Sequence, residues 1–181
     1  MSHRNSKVAW LIVIVKVPAE PSRHRVAVWR ELRRQGAVQL SPGTWGLPDV
    51  AGVRQALDRV RTVVGEASGE STVMRVSADG PDDQARLVEA YGRARHEDWA
   101  EFCADCDKLV VEISAEIGKG KLTFAELEEE EQSLDRLRRW YRTLRARDVL
   151  DTPGRVRADE RLAACTDALA DYEQRVYNAG E

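Results

Sequence analysis

The sequence predicts an α+β fold: a βαββαβ sheet domain over residues 1–80, then a helical region over 81–181 that extends it with three helices. Three observations carry this. Leu11 to Val15 is an unbroken aliphatic run dominated by β-branched residues, and helical periodicity follows it at once. A hairpin signal, Ser41-Pro42-Gly43, then separates two short strand candidates ahead of a second helical stretch. Beyond Pro81 the apolar residues recur in heptad-like steps in three separate runs.

Each element has its own warrant. The Leu11–Val15 run ends at Lys16 and Pro18 and reads as a strand buried on both faces. Ser22 is the expected cap of the next helix, with Val26, Trp29 and Leu32 on its apolar stripe and Val28 flanking them. Gly36 stands where a helix takes a left-handed terminator. Ala37–Leu40 and Thr44–Leu47 are the arms of the hairpin. Asp49 is the expected cap of a helix from about Val50 to Gly65, with Val53, Leu57, Val60 and Val64 on its buried stripe. Ser68-Gly69 breaks it, and Thr72–Val76 supplies a strand in which Val73 lies beside the first. Two such halves make the split βαβ, ferredoxin-like unit. Trp29, Leu32, Leu57 and Val60 are expected to pack on the sheet.

In the helical region, Trp99, Phe102, Cys106, Leu109 and Ile113 form one seam. Leu134, Leu137, Tyr141 and Leu144 form the second, and Leu162, Cys165, Leu169, Tyr172 and Val176 the third. Gly118-Lys119-Gly120 and Pro153-Gly154 punctuate them. Isolated helices of this kind are marginal in water, so the seams must face each other, the sheet or a second protomer.

Composition excludes several classes. With 43% hydrophobic and 33% charged residues the chain is neither disordered nor fibrous. Its longest apolar run is too short to span a bilayer. Arg4 and Lys7 ahead of that run imitate a secretory leader, but no small-residue cleavage site follows, and a buried strand accounts for the same residues. Three cysteines without a repeated spacing point away from a disulfide framework and toward a reducing, cytoplasmic location. The net charge of −3 conceals an asymmetry: residues 1–78 carry +6 and residues 79–181 carry −9. A basic sheet domain beside an acidic helical one suits an anionic partner or self-complementary assembly.

The candidate site is the first helix. Arg23, His24, Arg25, Arg30, Arg33 and Arg34 crowd onto it, and a row of guanidinium forks is suited to phosphate or another oxyanion. Arg23, Arg30 and Arg34 share a face from which Arg33 is rotated. The competing reading is a solvated face that only keeps the protein soluble. No helix-turn-helix or zinc-finger spacing accompanies the cluster. Cys103-Ala104-Asp105-Cys106 falls inside a helix, away from the strand-to-helix turn that activates a redox CxxC pair. Cys106 and Cys165 are expected to be core thiols, and Cys103 to be the partly exposed one. Glu128–Glu131 point in four directions around a helix and cannot converge on one cation. They stand near its start, with Arg136 to Arg147 toward its end, which is the order the helix dipole favours. No nucleophile elbow, Walker loop or dinucleotide fingerprint is present. The expectation is therefore no catalytic residue, no metal and no cofactor.

Longer stretches carry a resemblance. Ser22–Leu40 (SRHRVAVWRELRRQGAVQL), GTWGLP at 43–48, KGKLTFAELEEEEQSLDRLRRWYRTLRARDVL at 119–150 and CTDALADYEQRVYNAG at 165–180 together resemble the N-terminal domain of the chromate resistance protein ChrB family. The resemblance covers nearly the whole chain, and GKLTFAELEEEEQSLDRLRRW with its downstream RARD is its most specific part. The first half also looks like the sheet domain of PaaX-type transcription regulators and, more distantly, like the Cas2 nucleases. These likenesses imply a ferredoxin-like domain that dimerises, in a non-enzymatic regulatory or accessory protein of the chromate response. The alternative they imply is a PaaX-like nucleic-acid-binding regulator. The implied partners are a second copy of the chain and DNA or an oxyanion on the basic helix, with no membrane. Full-length ChrB proteins carry a further C-terminal domain, whose functions do not carry over to residues 1–181. Cas2-type nucleases place an acidic metal ligand at the end of the first strand. Here that end reads Lys16-Val17-Pro18, with Glu20 beyond, so a metal-dependent nuclease is not expected.

Overall fold

The computed structural model describes residues 8–180; Arg4 and Lys7 lie outside them. In chain order the elements are β1 (Trp10–Lys16), α1 (Ser22–Arg34), β2 (Val38–Ser41), β3 (Thr44–Pro48), α2 (Val53–Glu66), β4 (Glu70–Val76), α3 (Pro81–Lys119), α4 (Phe124–Arg147) and α5 (Gly154–Ala179). The fold is α+β, with one four-stranded antiparallel sheet in the order β2-β3-β1-β4. The chain divides into two compact units. One comprises residues 1–94 and 147–150, the other residues 95–146 and 151–181.

In the sheet unit, alternation along β1 decides which side chain meets which layer. Leu11 and Val13 join Trp45 and Leu47 of β3 on one face, where α1 contributes Val28 and Leu32 and α2 contributes Leu57, Val60 and Val64. On the opposite face Trp10 and Val38 pack with Tyr91 of α3, edge to face for the two rings. The Trp10 indole N–H also donates to the Gln84 amide oxygen at 3.2 Å. Farther along β1 this second face is uncovered: Ile14, Leu40 and Met74 are all exposed. A first strand buried on both faces is therefore correct only for its beginning, because α3 covers the Trp10 end alone.

Helix ends follow backbone chemistry more than side-chain caps. Ser22 does not cap α1; it is the first helical residue, and Pro21, in extended conformation, precedes it. Asp49 does not cap α2 either. That helix starts at Val53 behind Gly52, whose φ of 85° only glycine adopts without strain. At the C-terminus of α1, Gly36 takes φ 80° and the Ala37 amide donates to Leu32 at 3.0 Å, a Schellman closure. After α2 the left-handed position falls to Ser68 rather than to glycine. Gly69 follows because a Cβ there would stand 2.7 Å from the Lys16 carbonyl.

The apolar stripe of α1 is rotated from the one the periodicity suggests. Leu32 is buried as expected, but Val26 and Trp29 are exposed, and Val28 with Leu32 makes the inward pair. Both stripes contain Leu32, so the sequence spacing fits either; the sheet accepts the one whose members lie four apart on the side facing Trp45.

In the helical unit the three seams meet. Phe102, Cys106, Leu109 and Ile113 of α3, Leu134, Leu137 and Leu144 of α4, and Cys165, Tyr172 and Val176 of α5 form one core. Gly154 starts α5 where a Cβ would lie 2.9 Å from that of Trp99. All three cysteines are free and buried. Cys103, expected to be the partly exposed one, is buried too, at 4% exposure, because α3 turns it into the same core as Cys106 and Cys165. Among the described residues no helix is long and apolar enough to cross a membrane.

Candidate anion-binding surface on the first helix

The 100° step of a helix sorts the cationic residues of α1 into two groups around the buried Val28–Leu32 edge. Arg23, Arg30 and Arg34 project on the outer side, with Arg33 rotated toward Trp29. Arg25 stands on the shoulder next to the sheet. Arg23, Arg25, Arg30 and Arg34 are exposed, and His24 and Arg33 are half-buried. The sequence grouped these six by proximity; the structure separates them by partner.

Two of them are engaged within the helix. Arg34 pairs with Glu31 at 2.6 Å, and the Gln35 amide donates to the same carboxylate at 2.6 Å. Burial alone would raise the Glu31 carboxyl, but these hydrogen bonds outweigh it and hold the group below its ordinary range. The Arg33 guanidinium lies over the Trp29 ring, 5.3 Å from its centroid. Among the described residues Arg23, Arg25 and Arg30 have no carboxylate partner. Three exposed, uncompensated guanidiniums on one 13-residue helix form a field favourable to anions.

Beside Arg25 opens a cleft of about 390 Å³. Val28 and Leu32 of α1 and Trp45 of β3, all buried in the core, form its floor, and Trp29 and Gly43 also line it. Lys16, at the end of β1, and Gln39 of β2 bring the polar groups. Sequence reasoning did not single out this cleft. Its residues come from four elements, and Lys16 and Trp45 read in sequence only as a strand terminator and a hairpin residue.

Other polar groups are internally satisfied. Asp49 accepts ion pairs from Arg75 at 2.7 Å and Arg54 at 3.3 Å, which closes off the N-terminal region of α2 as an anion site. Cys165 donates its S–H to the Cys106 carbonyl at 3.3 Å. Contact with Cys165 and burial push the Cys106 thiol well above its ordinary value, the opposite of an activated thiolate. Among the described residues no group of three or more His, Cys, Asp or Glu is placed to hold a metal ion. Of Glu128–Glu131 only Glu130 is buried, so the four do not converge.

The comparisons with known proteins agree with one another. The family described as "Protein ChrB, N-terminal" matches residues 25–181, which takes in Arg25, Arg30, Arg33 and Arg34 and leaves Arg23 and His24 just outside. A relative named Protein ChrB, from Cupriavidus metallidurans, is 33% identical over 78 residues, 43% of this chain. The match spans only 24% of that relative's own length. With the family match running through both compact units, the chain belongs to the family of ChrB N-terminal domains.

Proposed function

We propose that this chain is a non-enzymatic regulatory or accessory protein of the chromate response, acting in the cytoplasm by binding an anion on the exposed arginines of α1. The observation that carries this reading is the exposed, acid-free trio Arg23, Arg25 and Arg30. Membership of the ChrB family supports the link to chromate. The order β2-β3-β1-β4, with helices after β1 and β3, supports the ferredoxin-like arrangement for the sheet unit. The end of β1 carries Lys16 rather than an acid, which favours binding over metal-assisted hydrolysis.

A homodimer belongs to the same proposal, with the uncovered half of the sheet as its contact. Ile14, Leu40 and Met74 are exposed there, flanked by Thr44 and Thr72, and these five residues carry no charge. A second copy of a basic unit is repelled by most of its surface, whereas two neutral faces related by a two-fold axis meet without that repulsion.

The anion test compares wild type with Arg23→Gln/Arg25→Gln/Arg30→Gln, which spares the Arg34–Glu31 pair, in two titrations, against duplex DNA over a range of salt and against chromate. The expected outcome is weaker binding of at least one of them, with Tm nearly unchanged, since exposed charges contribute under about 1 kcal/mol each. If DNA is the ligand, each lost phosphate contact flattens the salt dependence by about one unit of slope. Unaltered affinity for both ends the proposal. A lower Tm with unaltered affinity assigns these arginines to pairing within the protein.

A further inference from the structure

We propose that the cleft between α1 and the sheet is a binding site for a small organic anion with a flat apolar body, an arylcarboxylate or arylsulfonate of one or two rings. Its floor is apolar and aromatic, formed where Val28 and Leu32 pack with Trp45, while Trp29 stands at the rim with 44% of its surface exposed. A volume of about 390 Å³ falls within the ordinary range for small-molecule sites, which are mostly apolar and carry a few placed polar groups. Those groups are few and of one sign: Lys16 and Arg25 are cationic, Gln39 is neutral, and no carboxylate lines the cleft. Neither cation has a carboxylate partner among the described residues, so neither needs to give up an internal ion pair to meet a ligand.

The chemistry narrows the class. A hydrophilic oxyanion would leave the exposed Trp29 ring and the apolar floor beside it without contact. A neutral aromatic would leave two charges at the mouth of a partly dehydrated cleft without a counterion. An anion with a planar ring system satisfies both, with its head between Lys16 and Arg25 and its ring on the Trp45 floor against Trp29, where stacking on indole adds to burial. The cleft differs from the arginine surface of the proposed function in its ligand and shares only Arg25 with it, so failure of DNA or chromate binding leaves this site standing.

The experiment titrates the full chain with 2-naphthoate and with its neutral counterpart 2-naphthamide, following the indole N–H signals by NMR. Saturable shifts are expected for the Trp29 and Trp45 indoles, with naphthamide about tenfold weaker, the effect of one charge-assisted hydrogen bond or more. Lys16→Gln/Arg25→Gln is expected to bring naphthoate down to the naphthamide level, while Arg61→Gln, on the exposed side of α2, leaves it unchanged. Should the double variant lose its dispersed spectrum, the two single variants decide, each weakening naphthoate at least about threefold. Equal affinity for acid and amide overturns the proposal. So does naphthoate binding that the charge variants leave intact, or one that never moves the Trp45 signal.

Discussion

Leu32 and Trp29 sit three residues apart on α1 and meet opposite surroundings. Leu32 is 1% exposed against the sheet, and Trp29 is 44% exposed beneath the Arg33 guanidinium. Size alone would give the tryptophan the greater share of stability, but burial reverses the order. Leu32→Ala removes a side chain with no room to collapse around it and is expected to cost about 2–5 kcal/mol. Trp29→Ala is expected to cost under about 1 kcal/mol, as exposed substitutions do. Urea unfolding of the two variants checks this, and equal losses would mean that the buried stripe of α1 lies elsewhere.

At the scale of elements, α4 shows how one charge can oppose the pattern around it. Its acidic start and basic end suit the helix dipole, yet Glu130 is turned into the core side of the helix. Burial raises its carboxyl above the ordinary value, and Glu112, Glu116, Glu126 and Glu129 push in the same direction. A raised carboxyl binds protons more tightly when folded, so this group costs stability as pH climbs through its folded value, and the cost disappears below the unfolded one. Glu130→Gln is therefore expected to raise Tm at neutral pH by about 2–4 °C, the equivalent of about 1 kcal/mol. The gain should vanish in thermal melts below about pH 4. A variant no more stable than wild type at neutral pH would contradict this reading.

The helical elements were legible in sequence because their seams repeat over many turns: Phe102, Leu134 and Cys165 all lie in one core. The hairpin was legible from Pro42-Gly43, where Gly43 takes φ 72°. The phase of α1 was not, since both candidate stripes share Leu32 and only the facing Trp45 selects between them. The arginine row was visible in sequence, but the cleft beside it was hidden, because tertiary packing alone brings Lys16, Arg25 and Trp45 to one place.

For the whole molecule, the uncovered sheet face makes assembly a measurable quantity. Ile14→Asp/Met74→Asp is expected to convert a dimer to monomer in sedimentation with little change in Tm, because both positions are already more than 40% exposed within one chain. A wild-type chain that sediments as a monomer at every concentration would remove the dimer. A different consequence follows from residues 147–150, which belong to the sheet unit although the helical unit separates them in sequence from the rest of it. Tyr91 donates its hydroxyl proton to the Arg147 carbonyl and accepts from the Val149 amide at 3.1 Å, and Arg147 donates to the Arg34 carbonyl at 3.1 Å. On a translating ribosome that closing segment follows Ala94 by several seconds, at about 5–20 residues per second. Throughout that interval Tyr91 lacks both backbone partners and Leu150 is missing from the cluster around Trp10. The sheet unit is thus begun before residues 95–146 are made and sealed only after them, and a nascent chain stalled before residue 147 would present an aromatic seam to chaperones that the finished protein conceals.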